Sequence, residues 1–223
     1  MRLVSIILTA AFIADQPTLG QPAPEPTTVT SSPVGSEVAD EPSDEGWSFS
    51  ASAYVFCVPD DNYIQPTITA DRDWLHLEAR YNYEDINTTS AWIGYNLAGG
   101  ENLAWEFTPM LGAVCGDTKG GALGYKASLS WCKIGFYSEG EYLIDADDVS
   151  DSYFYNWSEL VYAPMDRFRF GLAAQRTRVY QADRDISRGL LVGFTFEQVD
   201  IAAYLFNIDD GDPIVALALR FDF

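Results

Sequence analysis

Between Trp47 and Phe223, apolar and polar residues alternate in segments of about ten residues, the length of a strand that crosses a bilayer. Leu75, Leu77, Ala79, Tyr81 and Tyr83 interleave with His76, Glu78, Arg80 and Asn82. Leu190, Val192, Phe194 and Phe196 interleave with Gly193, Thr195 and Glu197 in the same way. A two-residue period is that of a strand, whose successive side chains point to opposite faces. No convincing 3.6-residue helical period competes with it. Clusters of Gly, Asp, Asn and Pro separate the segments and supply turns. The pattern predicts an all-β chain of twelve strands, at 47–58, 63–70, 74–83, 89–97, 102–115, 122–131, 134–144, 153–163, 167–179, 188–197, 200–207 and 213–223. Ten or fourteen strands are the neighbouring even counts, and the eighth and eleventh segments have ambiguous parity. Pro66 and Pro109 fall inside strands, where each removes a ladder donor and predicts a bulge.

The composition of the two faces discriminates between a soluble and a membrane barrel. A soluble barrel turns its apolar face inward and its charges to water. Here the apolar face is large and rich in aromatics, while the polar face mixes Gly, Ser and Thr with Glu, Arg and Lys. Lipid outside and a hydrated or ion-paired lumen inside account for that asymmetry. Trp47, Phe49, Trp131, Phe136, Phe168, Phe170, Phe194 and Phe196 fall toward one rim. Tyr54, Phe56, Tyr81, Tyr83, Tyr142, Tyr153 and Tyr180 fall toward the other, so two interfacial girdles are expected. The expected architecture is an up-and-down antiparallel transmembrane β-barrel over residues 47–223.

Charge and composition narrow the functional classes. The 33 acidic and 13 basic side chains give a net charge of −20, which opposes any grip on nucleic-acid phosphates. Thirteen Tyr, thirteen Phe and six Trp exclude a wholly disordered acidic chain. Three cysteines exclude a disulfide scaffold, and a single histidine excludes most histidine-rich metal sites.

The first residues read as targeting. Met1-Arg2 and the apolar run Leu3 to Ala14 have signal-peptide proportions, and the run is too short to span a bilayer as a helix. Residues 1–20 are expected to be a signal peptide. Residues 21–46 hold five prolines and no aromatic residue, and are expected to form a disordered acidic periplasmic linker.

The chain ends PIVALALRFDF, with Val215, Leu217, Leu219, Phe221 and Phe223 in strict alternation and Phe last. This resembles the terminal strand of bacterial outer-membrane β-barrels. The resemblance implies that Leu219, Phe221 and Phe223 belong to the signal read by the barrel assembly machinery. It further implies an outer-membrane destination in a Gram-negative cell and outer-membrane lipid as surroundings; the barrel is expected to be a monomer. It implies nothing about a substrate.

With both barrel ends in the periplasm, the connections sort into a short periplasmic set and a longer external set. The external set is acidic. Asp145, Asp147, Asp148 and Asp151 in one loop, and Asp209, Asp210 and Asp212 in another, offer hard oxygen ligands suited to Ca²⁺ or another divalent cation. Neither has the twelve-residue spacing of an EF-hand, and solvated turn residues are the simpler reading; no other cofactor is expected. Inward parity assigns to the lumen His76, Glu78, Arg80 and Asn82, then Glu106, Lys126, Glu139, Glu141 and Glu159, and finally Arg169, Glu197 and Arg220. Two readings follow. The mixed charges line a narrow cation-favouring pore for ions or small solutes, or they pair off in a closed barrel whose acidic loops or tail bind a partner or lipid.

An outer-leaflet lipid hydrolase is a distant third reading. It needs a base near the external rim, whereas His76 lies toward the periplasmic end and there is no G-x-S-x-G elbow. The expectation is therefore a non-enzymatic barrel. Cys57, Cys115 and Cys132 fall on non-adjacent strands or at opposite ends, so free thiols are expected.

Overall fold

The computed structural model describes residues 46–57, 62–179, 185–208 and 213–223. The signal peptide and nearly all of the linker expected at 1–46 lie outside the described residues, as do Asp209, Asp210, Asp212 and Tyr180.

Among the described residues thirteen strands form: β1 Ser48–Cys57, β2 Tyr63–Arg72, β3 Leu75–Tyr81, β4 Thr89–Tyr95, β5 Leu97–Gly99, β6 Ala104–Cys115, β7 Gly120–Trp131, β8 Ile134–Asp145, β9 Tyr153–Met165, β10 Phe168–Val179, β11 Asp185–Phe196, β12 Val199–Phe206 and β13 Ile214–Asp222. Each pairs antiparallel with its neighbours. β1 meets β13 from Ser50↔Asp222 to Cys57↔Val215, and β4 meets β6, so the sheet closes on itself. Closure leaves no unpaired edge, which is what hydrocarbon demands of a spanning sheet. Among the described residues no helix is long and apolar enough to cross a membrane.

The barrel has twelve staves, because β5 prolongs β4. Gly94 pairs with Met110 and Leu97 with Phe107, which is one unbroken register interrupted only around Asn96. Pro109 lies opposite this gap and supplies no N–H, so the ladder opens there without an inserted residue. Pro66 likewise pairs in register with Ala53, so neither proline makes the expected bulge. The one register shift in the β9–β10 ladder falls between Phe168 and Phe170.

Alternation is read out on every stave. On β13, Ile214, Ala216, Ala218 and Arg220 point inward and are buried, while Val215, Leu217, Leu219 and Phe221 point outward and are exposed. The barrel closes beside the C-terminus, where Phe49 and Phe223 exchange backbone hydrogen bonds of 2.9 Å and stack at 6.0 Å. Both described chain ends therefore lie at the end bearing the short turns. At that end Trp47, Phe49, Trp131, Phe136, Phe170, Phe194 and Phe196 are exposed on the outer wall, as a girdle requires. The second girdle is a correction. Tyr81 and Tyr142 do face outward, but Tyr54, Phe56, Tyr83 and Tyr153 turn into the lumen and are buried.

Candidate functional site

These staves enclose a lumen whose contents change along its height. At the short-turn end a cavity of about 310 Å³ opens, lined by Asp71, His76, Asn96, Glu106, Thr108, Lys126, Ser128 and Arg220 among others. Thr108 Oγ1 donates to Asn96 Oδ1, whose amide donates to Asp71 Oδ1, both at 2.8 Å. His76 stands between Asp71 Oδ1 (2.7 Å from Nδ1) and Glu78 Oε2 (3.0 Å from Nε2). With a proton on each ring nitrogen it donates to both carboxylates. It is the knot of a hydrogen-bond network, and among the described residues both ring nitrogens face carboxylates rather than a serine or cysteine.

Above the cavity an ionic layer crosses the barrel. Glu78 is fully buried and holds Arg80, Lys126 and His76. Arg80 reaches the opposite wall at Glu141 Oε2, 3.0 Å away, and its guanidinium packs 3.9 Å from the Tyr83 ring and 4.6 Å from the Trp92 ring. Glu139 accepts from the hydroxyls of Tyr83 and Tyr137, each at 2.7 Å. The Trp92 indole has room because it lies over two glycines. A Cβ on Gly112 or Gly124 would come within 2.5 or 2.8 Å of it. On the other wall Arg169 grips Asp200 through two nitrogens at 2.5 and 2.6 Å, a bidentate pair that Thr195 also joins.

Toward the long loops the lumen is filled by aromatics. Phe56, Tyr155, Trp157, Tyr204 and Phe206 are each at most 1% exposed. Trp157 meets Tyr204 and Phe206 edge-on at 5.3 Å, while Tyr204 and Phe206 stack within 2° of parallel. Two polar anchors fix the layer: Trp157 Nε1 and the Tyr204 hydroxyl donate to one oxygen of Glu159, at 2.8 and 2.9 Å. Just above, Glu84 is buried in the β3–β4 connection, where it accepts from Ser90 and from Trp92. Burial pushes its carboxyl upward, against the lowering influence of Arg80 and of the Ser90 hydroxyl.

Of the twelve lumen residues inferred from parity, ten face inward: His76, Glu78, Arg80, Glu106, Lys126, Glu139, Glu141, Glu159, Arg169 and Arg220. Two are corrections. Asn82 and Glu197 lie just beyond β3 and β11, with φ of 56° and 53°. That left-handed backbone ends the alternation and turns each side chain out of the lumen. Asn82 instead ties its turn together, donating to Ile64 O and accepting from the Asn87 amide. Parity missed Asp71, Glu84 and Asp200, although Glu84 continues the even-numbered inward series of β3. It also missed the inward aromatics of β9 and β12. The rim loop is folded on itself: Asp145 accepts the amides of Asp147 and Asp148, and Asp148 accepts the amide and hydroxyl of Ser150, which hold its carboxyl below the usual range. Asp151 closes the 3₁₀ turn with an amide to Asp148 O. Among the described residues no group of three or more His, Cys, Asp or Glu side chains is gathered as a metal site. All three cysteines are free and exposed.

No protein-family model matches the chain, and no curated protein matches it. Its fold is similar to that of the KdgM porin, at a TM-score of 0.57 and 8% identity over 78% of this chain and 99% of that one. It is similar to the KdgM porin in complex with disordered oligogalacturonate at 0.59 and 9% identity, over the same shares of the two chains. The NanC porin gives 0.51 and 11% identity over 78% and 98%. In fold the chain is a closed, twelve-stave antiparallel β-barrel similar to those of these porins.

Proposed function

We propose that the protein sits in an outer membrane with its short turns and N-terminal tail in the periplasm, and forms a narrow passage that favours cations. The observation that carries this reading is the excess of acidic over basic groups in the described lumen. Asp71, Glu78, Glu84, Glu106, Glu139, Glu141, Glu159, Asp200 and Asp222 stand there against Arg80, Lys126, Arg169, Arg220 and the titratable His76. An acid-rich lumen with low-dielectric walls concentrates cations and repels anions. The porin-like fold supports a conducting role, and the acidic rim loops act in the same direction.

The aromatic layer favours a second reading, a closed barrel whose exterior does the work. At that level the described lumen is packed with side chains at most 1% exposed, which makes conduction depend on a shift of these rings. Planar-bilayer recording of the refolded protein separates the two. The expected result is small, brief conductance steps that are cation-selective in low salt and that grow when Trp157 is replaced by alanine. Silence from both the parent and Trp157→Ala would establish the closed barrel. Anion-selective steps would remove the role given to the lumen carboxylates.

A further inference from the structure

The outer wall carries an anomaly that a passage through the lumen does not use. Among the outward-facing strand residues whose side chains are described there is no acidic group, although the chain has 33. Arg72 marks the short-turn end of β2. Toward the long-loop end, Arg176 on β10 and Arg188 on β11 share one outward patch. Arg188 pairs with Ala174, which makes it the diagonal neighbour of Arg176. Arg176 also pairs with Asn156 on β9, and beyond it Ser158 and Ser138 continue the polar surface. The Ser158 hydroxyl donates to Asn156 Oδ1 at 3.2 Å. Arg176 lies 5.9 Å from the Phe154 ring, and its Nε is buried with no hydrogen-bond partner.

Two like charges on a lipid-facing wall oppose each other, and hydrocarbon offers them no counterion. Depth resolves the conflict. Phe168, at the short-turn end of β10, and Arg176 are eight residues apart, which at about 3.3 Å per residue and a tilt of about 40° is roughly 20 Å. That approaches the height of an apolar band of about 25 Å, so the guanidiniums reach the far headgroup level by snorkelling.

We propose that Arg176 and Arg188 bind the phosphate of an outer-leaflet lipid headgroup, with the Asn156–Ser158 surface beneath it as a neutral polar bed. A phosphate is the natural occupant because planar guanidiniums bind its oxygens bidentately and, among the described residues, no acidic group of the outer wall neutralises them. The site rests on the orientation proposed above, with the long loops outside the cell.

The test uses the full barrel refolded in detergent, with native mass spectrometry of bound lipid. Phosphorylated lipid A and the same lipid stripped of its phosphates are the two probes. The parent is expected to hold the phosphorylated form about tenfold better, and the double variant R176Q/R188Q to lose that preference. R72Q, at the other end of the barrel, is expected to retain it. Equal binding of the two probes by the parent would overturn the proposal without recourse to any variant, as would an unchanged preference in a double variant whose heat-modifiable gel migration shows a folded barrel. Failure of the parent to insert into lipid vesicles would instead count against the membrane reading itself.

Discussion

Toward the long loops the lumen is packed with Phe56, Tyr155, Trp157, Tyr204 and Phe206, whereas toward the short turns it widens into a polar cavity of about 310 Å³. Both halves are lined by the same alternating staves. What differs is the size and hydrogen-bonding capacity of the inward residues. Large rings fill the cross-section and need only a few acceptors, which Glu159 and Glu139 supply. Short polar chains such as Thr108, Asn96 and Ser128 leave space that water and ions can enter. A twelve-stave barrel is therefore neither pore nor plug by virtue of its strand number; the side chains decide at each level.

The sharpest way to break this contrast is to remove a ring. Trp157→Ala is expected to destabilise the barrel by about 3–5 kcal/mol, since a fully buried side chain leaves a cavity the neighbouring staves cannot close. Equilibrium urea unfolding in lipid vesicles measures it. Thr108→Ala in the cavity is the control, expected to cost no more than about 1.5 kcal/mol. Equal losses would mean that the aromatic layer is not the better-packed half.

The ionic layer between the halves comes next. Glu78→Gln leaves Arg80 and Lys126 buried with one counter-charge fewer, and a loss of about 3 kcal/mol is expected. Glu106→Gln, in the wall of the cavity, is expected to change stability by less than about 0.5 kcal/mol. Its effect belongs in ion selectivity, read as a shift of reversal potential toward anions.

The smallest effect lies outside the barrel wall. Asp148 caps the turn at Val149–Asp151, and the Ser150 donors lower its carboxyl. A depressed carboxyl contributes order that is present above its unfolded value and lost as the pH falls through the folded one. Asp148→Ala is thus expected to speed amide exchange at Ser150 at neutral pH, and acidification of the parent to have the same local effect. Exchange that is insensitive to both would show that the cap does not order this loop.

Much of this was legible in the sequence because a strand has a period of two and a barrel obliges every stave to obey it. The predicted strands match the observed ones to within a few residues, and β5 only prolongs the fourth. Parity also placed ten lumen residues. It failed where local geometry ended the alternation, at Asn82 and Glu197; asparagine tolerates a positive φ, whereas nothing in the residue type signals it at Glu197. It failed again for the aromatics of β9 and β12. Their parity is ambiguous in the sequence, and Tyr155, Trp157 and Tyr204 are apolar rings that suit a narrow lumen as well as lipid. The ambiguous parity of those two segments was itself the signal, because both of their faces are apolar.

The sequence by itself determined the class: alternating staves and an apolar exterior are short-range properties, readable one segment at a time. Only the tertiary structure decided what the lumen holds. Arg80 meets Glu141 across 61 positions of chain and Tyr204 meets Glu159 across 45, contacts that exist only once the staves have closed and set their register. Closure also converts inward parity into occupancy, since whether a ring blocks the lumen depends on the rings that face it. For the same reason Arg176 and Arg188, unremarkable in sequence, become one basic patch when β10 and β11 pair.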